Sequence, residues 1–106
     1  MGALTPEQRS RHSQLSTRLR SVVRSFHELP DGYEFEFPFH LTTFESLAEL
    51  TPLEHACCPF FTISIRLEQD KVFWQLTGSE GVKQFIRMEF AEWFFSEIPS
   101  ASEGAL

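Results

Sequence analysis

The N-terminal third of the chain has the hydrophobic pattern of an α-helix. Apolar residues recur three or four positions apart at Leu15, Leu19, Val22, Val23 and Phe26. Before this stripe, Thr5 is a suitable capping residue, Pro6 suits the first helical position, and Gln8 completes a capping box. The pattern predicts one helix that continues through Phe26 and stops at the turn sequence L-P-D-G, residues 29–32.

Alternating patterns predict three strands. Residues 33–37 read Y-E-F-E-F, which is typical of a half-buried strand with its aromatic side chains inward and its glutamates outward. Residues 60–68 and 72–77 are rich in aromatic and β-branched residues, and Gln69-Asp70 between them resembles a hairpin tip. Trp74 and Leu76 are expected on one face of the last strand.

Two further helices are predicted. Residues 42–45, T-T-F-E, have the form of a capping box and begin the first of them. Pro52 lacks an amide hydrogen, so we expect a kink or a break into two short helices near Leu50. The final helix has a broad apolar stripe made of Val82, Phe85, Ile86, Phe90, Trp93 and Phe94.

The predicted order is α-β-α-β-β-α. It indicates an α+β fold with a small, mostly antiparallel, three-stranded sheet covered by helices. The chain has 106 residues, which favours a single domain, predicted at residues 1–98. The small-residue segment 99–106 is predicted to be a disordered tail.

Charge is distributed unevenly along the chain and restricts its partners. Residues 1–30 contain five arginines against two glutamates, whereas the remainder contains four basic residues against thirteen acidic ones. The acidic body argues against nucleic acid as a partner. No apolar run is long enough for a transmembrane helix, and the N-terminus lacks a secretory pattern, so we expect a cytoplasmic protein that does not contact a membrane.

The candidate chemistry lies in one stretch, L-E-H-A-C-C-P-F-F, residues 53–61. It contains the only two cysteines of the chain, Cys57 and Cys58, which should be free thiols in the cytoplasm. Glu54 lies three and four residues before them, so all three can face one side of a helix. Two soft thiolates with a carboxylate suit a thiophilic ion, with His55, His40 or a second subunit as sources of a further ligand.

Other interpretations of the cysteines stay open. An adjacent-cysteine disulfide would be strained and easily reduced, which suits an oxidant sensor. The negative end of the helix dipole and the nearby Glu54 should raise the pKa of these thiols. A thiol with a raised pKa is a poor nucleophile, so the spacing does not argue for an enzyme. Cysteine is also among the most buried residue types, and the pair would then only fill the core of a structural or protein-interaction module.

The chain resembles a small uncharacterised bacterial domain with an E-x-x-C-C-x-F-F signature. The resemblance is carried by L-A-E-L-T-P-L-E-H-A-C-C-P-F-F, the preceding strand, the strand pair and T-G-S-E-G-V-K-Q-F-I. Similar segments occur at the C-terminal end of some MerR-type, metal-responsive transcriptional regulators. The resemblance covers roughly residues 15–90 and implies that Glu54, Cys57, Cys58, Pro59 and Phe60 are signature positions. Our hypothesis is a small homodimeric module that binds or senses a thiophilic metal ion or an oxidant.

Overall fold

The computed structural model describes residues 4–94 and has an α+β fold. A four-stranded antiparallel sheet is covered on one face by helices. In chain order the elements are α1 (Pro6–Arg20), β1 (Ser25–Leu29), β2 (Gly32–Pro38), α2 (Leu41–Cys57), β3 (Thr62–Glu68), β4 (Lys71–Thr77) and α3 (Val82–Glu89). Residues 91–94 form a further short helical segment. The α+β class is therefore confirmed, but the prediction of three strands is wrong. The predicted tail, residues 99–106, lies outside the described residues.

The additional strand is β1, in a segment for which a continuous helix was predicted. Helix α1 begins with the predicted capping box, in which Thr5 Oγ1 accepts from the Gln8 amide at 3.1 Å and the Gln8 side chain accepts from the Thr5 amide at 2.9 Å. The helix ends at Arg20 instead of continuing through Phe26. Phe26 lies in β1 opposite Phe35, so pairing with β2 prevails over the helical spacing of the local sequence.

The sheet has the strand order β1-β2-β4-β3, so the two hairpins meet along β2 and β4. Gly32 begins β2 where the two backbones are close, because a Cβ built there would lie 2.0 Å from the carbonyl oxygen of Leu76. Alternation along β2 is as predicted, with Phe35 fully buried, and Trp74 and Leu76 of β4 are both fully buried, as expected for residues on one face of the strand. The predicted hairpin tip is also confirmed, because Gln69 has the left-handed φ of 58° that a tight turn needs.

The covered face of the sheet forms an aromatic core with the helices. The rings of Trp74 and Trp93 stack with 5.5 Å between centroids, and Phe35 contacts both Trp93 and Phe94. Helices α1 and α2 contribute buried leucines to the same core at positions 15, 19, 47 and 50. The opposite face of the sheet is polar and has ion pairs such as Arg66 with Glu34 at 2.9 Å.

Helix α2 differs from its prediction at its start and at Pro52. It begins at Leu41, with His40 as an N-cap residue that makes no side-chain capping bond, so the predicted capping box at residues 42–45 is wrong. It also continues through Pro52 to Cys57, so the predicted break into two short helices is wrong. Among residues 4–94, no helix is long and apolar enough to cross a membrane.

Candidate functional site

The C-terminus of α2 places the two cysteines. Cys57 is the last helical residue, and Cys58 is the C-cap with φ −131° and ψ 75°. The Cys58 amide still donates to the carbonyl oxygen of Glu54 at 2.8 Å, and Pro59 follows. Because the backbone leaves the helix at Cys58, the divergence of neighbouring side chains in a regular helix does not apply to this pair.

A side-chain bond to the sheet holds this end of α2. The Thr51 hydroxyl donates to the Leu47 carbonyl oxygen at 2.7 Å and accepts from the indole Nε1 of Trp74 at 2.9 Å. Trp74 is fully buried in β4, so the bond joins α2 to the centre of the sheet immediately before Pro52. The following turn, with Glu54 and the cysteines, is therefore anchored to the sheet at its start.

Glu54 is a buried carboxylate with one partner. Its side chain is 1% exposed, and its Oε1 lies 2.7 Å from Nε2 of His12, which projects from α1. Its second oxygen, Oε2, is also buried and has no hydrogen-bond partner among the described residues. A buried carboxylate oxygen without a donor is costly, so this atom marks a place for a proton, a water or a cation.

The electrostatics of the cluster keep Cys58 protonated. Burial raises the pKa of the Cys58 thiol, and the neighbouring Cys57 side chain and the Glu54 and Glu89 carboxylates raise it further. Burial and the nearby Glu54 raise the pKa of the Glu89 carboxyl, and His12 partly offsets this. The interaction with Glu54 raises the pKa of His12 despite its partial burial.

All four predicted site residues lie in the last turn of α2 or at its C-cap, as their proximity in the sequence already requires. Glu54 and Cys58 are buried side by side at the end of α2, and Cys57 is half-buried between them in the chain. His55 is exposed on the same helix. His40 lies at the opposite end of α2, roughly 25 Å away for a helix of this length, from a rise of about 1.5 Å per residue. Within residues 4–94, no group of three or more His, Cys, Asp or Glu side chains has an arrangement that could hold a metal ion.

Two members of the cluster, His12 and Glu89, were absent from the sequence prediction. Both come from other helices, and their approach to Glu54 depends on the packing of α1 and α3. The only local signal was that His12 lies three residues before Leu15, on a helix otherwise lined with arginines.

No protein-family model, curated protein or solved structure matches this chain.

Proposed function

We propose that the protein is a small cytoplasmic binding module for a thiophilic metal ion, with Cys57 and Cys58 as soft ligands and Glu54 as an auxiliary ligand or orienting group. The observation that carries the proposal is the unpartnered Oε2 of Glu54, buried in the same cluster as two free thiols. A cation at the thiols would give Oε2 a nearby positive charge, as His12 does for Oε1. The resemblance of residues 53–61 to segments of metal-responsive regulators supports the same function.

The donor set favours a soft ion with few ligands. Thiolates select soft metals such as Cu(I), whereas structural zinc usually takes four ligands at wider cysteine spacing. Within the described residues Glu54 and the two thiols are not already arranged as a three-ligand site, so Glu54 would have to reorient to bind the ion itself and otherwise only orients the pair. An ion satisfied by two thiolates fits this arrangement, and a second copy of the chain, in the homodimer that we propose, is a source of further ligands.

The raised pKa of Cys58 argues against this thiol as one that reacts directly with an oxidant. Reaction with an oxidant requires a thiolate, and the raised pKa of Cys58 keeps that thiol neutral near pH 7. A metal ion instead displaces the thiol protons when it binds. Uptake should therefore release protons and strengthen as the pH rises.

Native mass spectrometry of the reduced protein tests the proposal. Spectra are recorded with and without one equivalent of Cu(I), Hg(II) or Zn(II), and the subunit count comes from the same data. We expect a stoichiometric adduct with Cu(I) and Hg(II) that disappears in the double variant Cys57→Ser/Cys58→Ser. His55→Ala changes an exposed residue of the same helix and is the control. If the ion binds to the thiols, this variant should still form the adduct. Retention of full uptake by the double serine variant would refute the proposal.

A structural role is the second candidate, and the burial of Cys58 favours it. Cys58 is 1% exposed and belongs to the hydrophobic core. In that case the wild-type protein takes up none of the three ions, and the serine substitutions only lower stability. The function would then lie in the contacts that the domain makes with other proteins.

A further inference from the structure

Strand β3 lies at an edge of the sheet, and its outer side has no strand beside it. Within the described part of the chain, β3 pairs with β4 only. None of the backbone hydrogen bonds that this part of the chain makes outside its helices and sheet involves residues 62–68. The strand contains neither proline nor glycine, which commonly protect or interrupt an edge. An edge of this kind is a template for a further strand.

The side-chain pattern of β3 fits a second copy of the same strand. In an antiparallel pair centred on Ile65, all seven residues have a partner, and opposite residues point to the same face. On the face covered by helices, Ile65 meets Ile65 of the second copy and Leu67 meets Ile63. Leu67 is 54% exposed in the single chain and becomes covered in this arrangement. On the polar face Thr62 lies opposite Glu68, and no two like charges are opposite each other.

The other edge of the sheet, β1, does not fit itself in this way. It has five residues, and an antiparallel pair centred on His27 would place the Phe26 ring opposite the Glu28 carboxylate of the second copy. Glu28 is also already paired with Lys83 of α3. Because the register of a strand pair follows its apolar pattern, self-pairing is favoured at β3 and disfavoured at β1.

Helix α2 adds a second layer to the face at the β3 edge. Glu49 and Glu54 both pair with residues of α1, and α1 leads to β1 at the far edge of the sheet. At about 100° per residue, Leu41, Ala48 and His55 lie on the opposite side of the helix, which is the side toward the β3 edge. All three are exposed, and none has a carboxylate, ammonium or guanidinium group.

The position of α2 above the sheet allows two copies to pack. The helix contacts β3 and is bonded to Trp74 of β4, so it lies over these two strands. With neighbouring strands about 4.8 Å apart, two copies of α2 related across the β3 edge would be roughly 10 Å apart, which is within the range for packed helices. A face about 25 Å long and about 20 Å high buries on the order of 1,000 Å² in total, the lower limit for a specific interface.

We infer that a second copy of this chain docks at the β3 edge, so that two four-stranded sheets join into one of eight strands around a two-fold axis at Ile65. The inference rests on the homodimer of the proposed function and names its surface, but it does not depend on metal binding by the thiols. Backbone hydrogen bonds between the two β3 strands supply the association, and the facing isoleucine and leucine side chains fix the register.

Sedimentation velocity of the reduced, metal-free protein tests the association at concentrations up to about 1 mM, where even weak complexes form. We expect conversion from one chain to two as the concentration rises, without larger species. Leu67→Lys places an ammonium group against Ile63 of the second copy and should weaken the dimer about tenfold or more. The matched control is Met88→Lys, because Met88 is 76% exposed on α3 and away from this edge. A monomer at every concentration, or equal weakening by both variants, would overturn the inference.

Two substitutions at one exposed position test the register. Thr62 faces Glu68 of the second copy, and the Glu68 side chain is 60% exposed in the single chain. Thr62→Lys should therefore tighten the dimer and Thr62→Glu should weaken it, each by a few-fold, because the two-fold axis repeats the pair. The gain from Thr62→Lys should reverse when Glu68→Lys is added. Effects of the same sign for lysine and glutamate at this position would overturn the inference.

The double variant Cys57→Ser/Cys58→Ser separates this inference from metal binding. It should lose soft-metal uptake and remain a dimer with the wild-type concentration dependence. Loss of the dimer in a variant that is still folded would show that the association depends on the thiols, and would overturn the inference. A wild-type dimer that takes up no metal ion would instead refute metal binding and support the β3 interface.

Discussion

The imidazole Nε2 of His12 lies 2.7 Å from the buried Oε1 of Glu54. This pair joins the N-terminal helix to the helix that ends in the two cysteines. The histidine is 20% exposed and the glutamate 1%, so the charge of the carboxylate is compensated from the side nearer to solvent. Arg11 of the same helix pairs with Glu49 of α2 at 2.6 Å, so basic side chains of the N-terminal segment also have acidic partners inside the chain.

Removal of the histidine should destabilise the fold. His12→Ala leaves both oxygens of Glu54 buried without a donor, which should lower the free energy of unfolding by about 1–3 kcal/mol. Urea denaturation followed by tryptophan fluorescence measures this. The control His55→Ala changes an exposed histidine and should stay within about 0.5 kcal/mol of wild type. Equal losses for the two variants would show that the pair contributes nothing specific.

The same pair predicts that stability falls as the pH rises above neutrality. The pKa of His12 is raised above 6.5 by Glu54 in the folded state. Its contribution is therefore fully present below the unfolded pKa of about 6.5 and is lost as the pH rises through the raised folded value. Urea denaturation at several pH values between about 5.5 and 8 measures the effect. The range stops below the ordinary cysteine pKa of about 8.5, so that ionisation of the thiols in the unfolded chain does not contribute.

The glutamine variant His12→Gln isolates this contribution. Glu89 and Cys58 also face the cluster and titrate, so the quantity of interest is the stability difference between wild type and variant. That difference should shrink as the pH rises. A difference that is constant or grows with pH would contradict a raised pKa for His12.

The hydrogen bond between Thr51 and Trp74 should contribute more to the free energy of unfolding than the half-buried position of Thr51 suggests. Thr51→Val keeps the shape of the side chain but removes the acceptor for the buried indole N–H, which lies 2.9 Å away. The expected cost is about 1–3 kcal/mol, as for an unsatisfied buried donor. Thr42→Val, at an exposed position of the same helix, controls for the change in helix propensity. A similar small effect of both substitutions would mean that the indole finds a different partner.

The two thiols should react at different rates. Cys58 is buried and has a raised pKa, whereas Cys57 is half-buried, so iodoacetamide should modify Cys57 at least about tenfold faster in the native protein. Mass spectrometry of Cys58→Ser and Cys57→Ser over time measures the two rates separately. In urea both variants should react equally, which shows that the fold causes the difference. Comparable native rates would place Cys58 nearer to solvent than the structure does.

Much of the fold could be predicted because strand alternation and capping are local signals. The pattern Y-E-F-E-F and the capping box of Thr5 and Gln8 are satisfied by neighbouring residues, and the structure confirms both. Strand β1 could not be predicted in the same way. Val22, Val23 and Phe26 continue the helical spacing of α1, but the chain turns after Arg20 and residues Ser25–Leu29 pair with β2 instead.

The site was predictable only where it is contiguous in sequence. Glu54, Cys57 and Cys58 are at most four residues apart, so they lie at the same end of α2 whatever the tertiary structure. The contributions of His12 and Glu89 depend on how three helices pack, which one sequence does not reveal. The continuity of α2 through Pro52 also depends on tertiary contacts, since Thr51 is bonded to the sheet immediately before it.

The strand order has a consequence for how the chain folds. Strands β1 and β2 form one hairpin and β3 and β4 another, each joined by a short connection, but the sheet is completed only when β2 pairs with β4. The whole of α2 separates the two hairpins in the chain, so this last pairing closes a long loop and should limit the folding rate. Since the cysteines lie at the C-terminal end of α2, their side chains would acquire their final environment only after β2 has paired with β4.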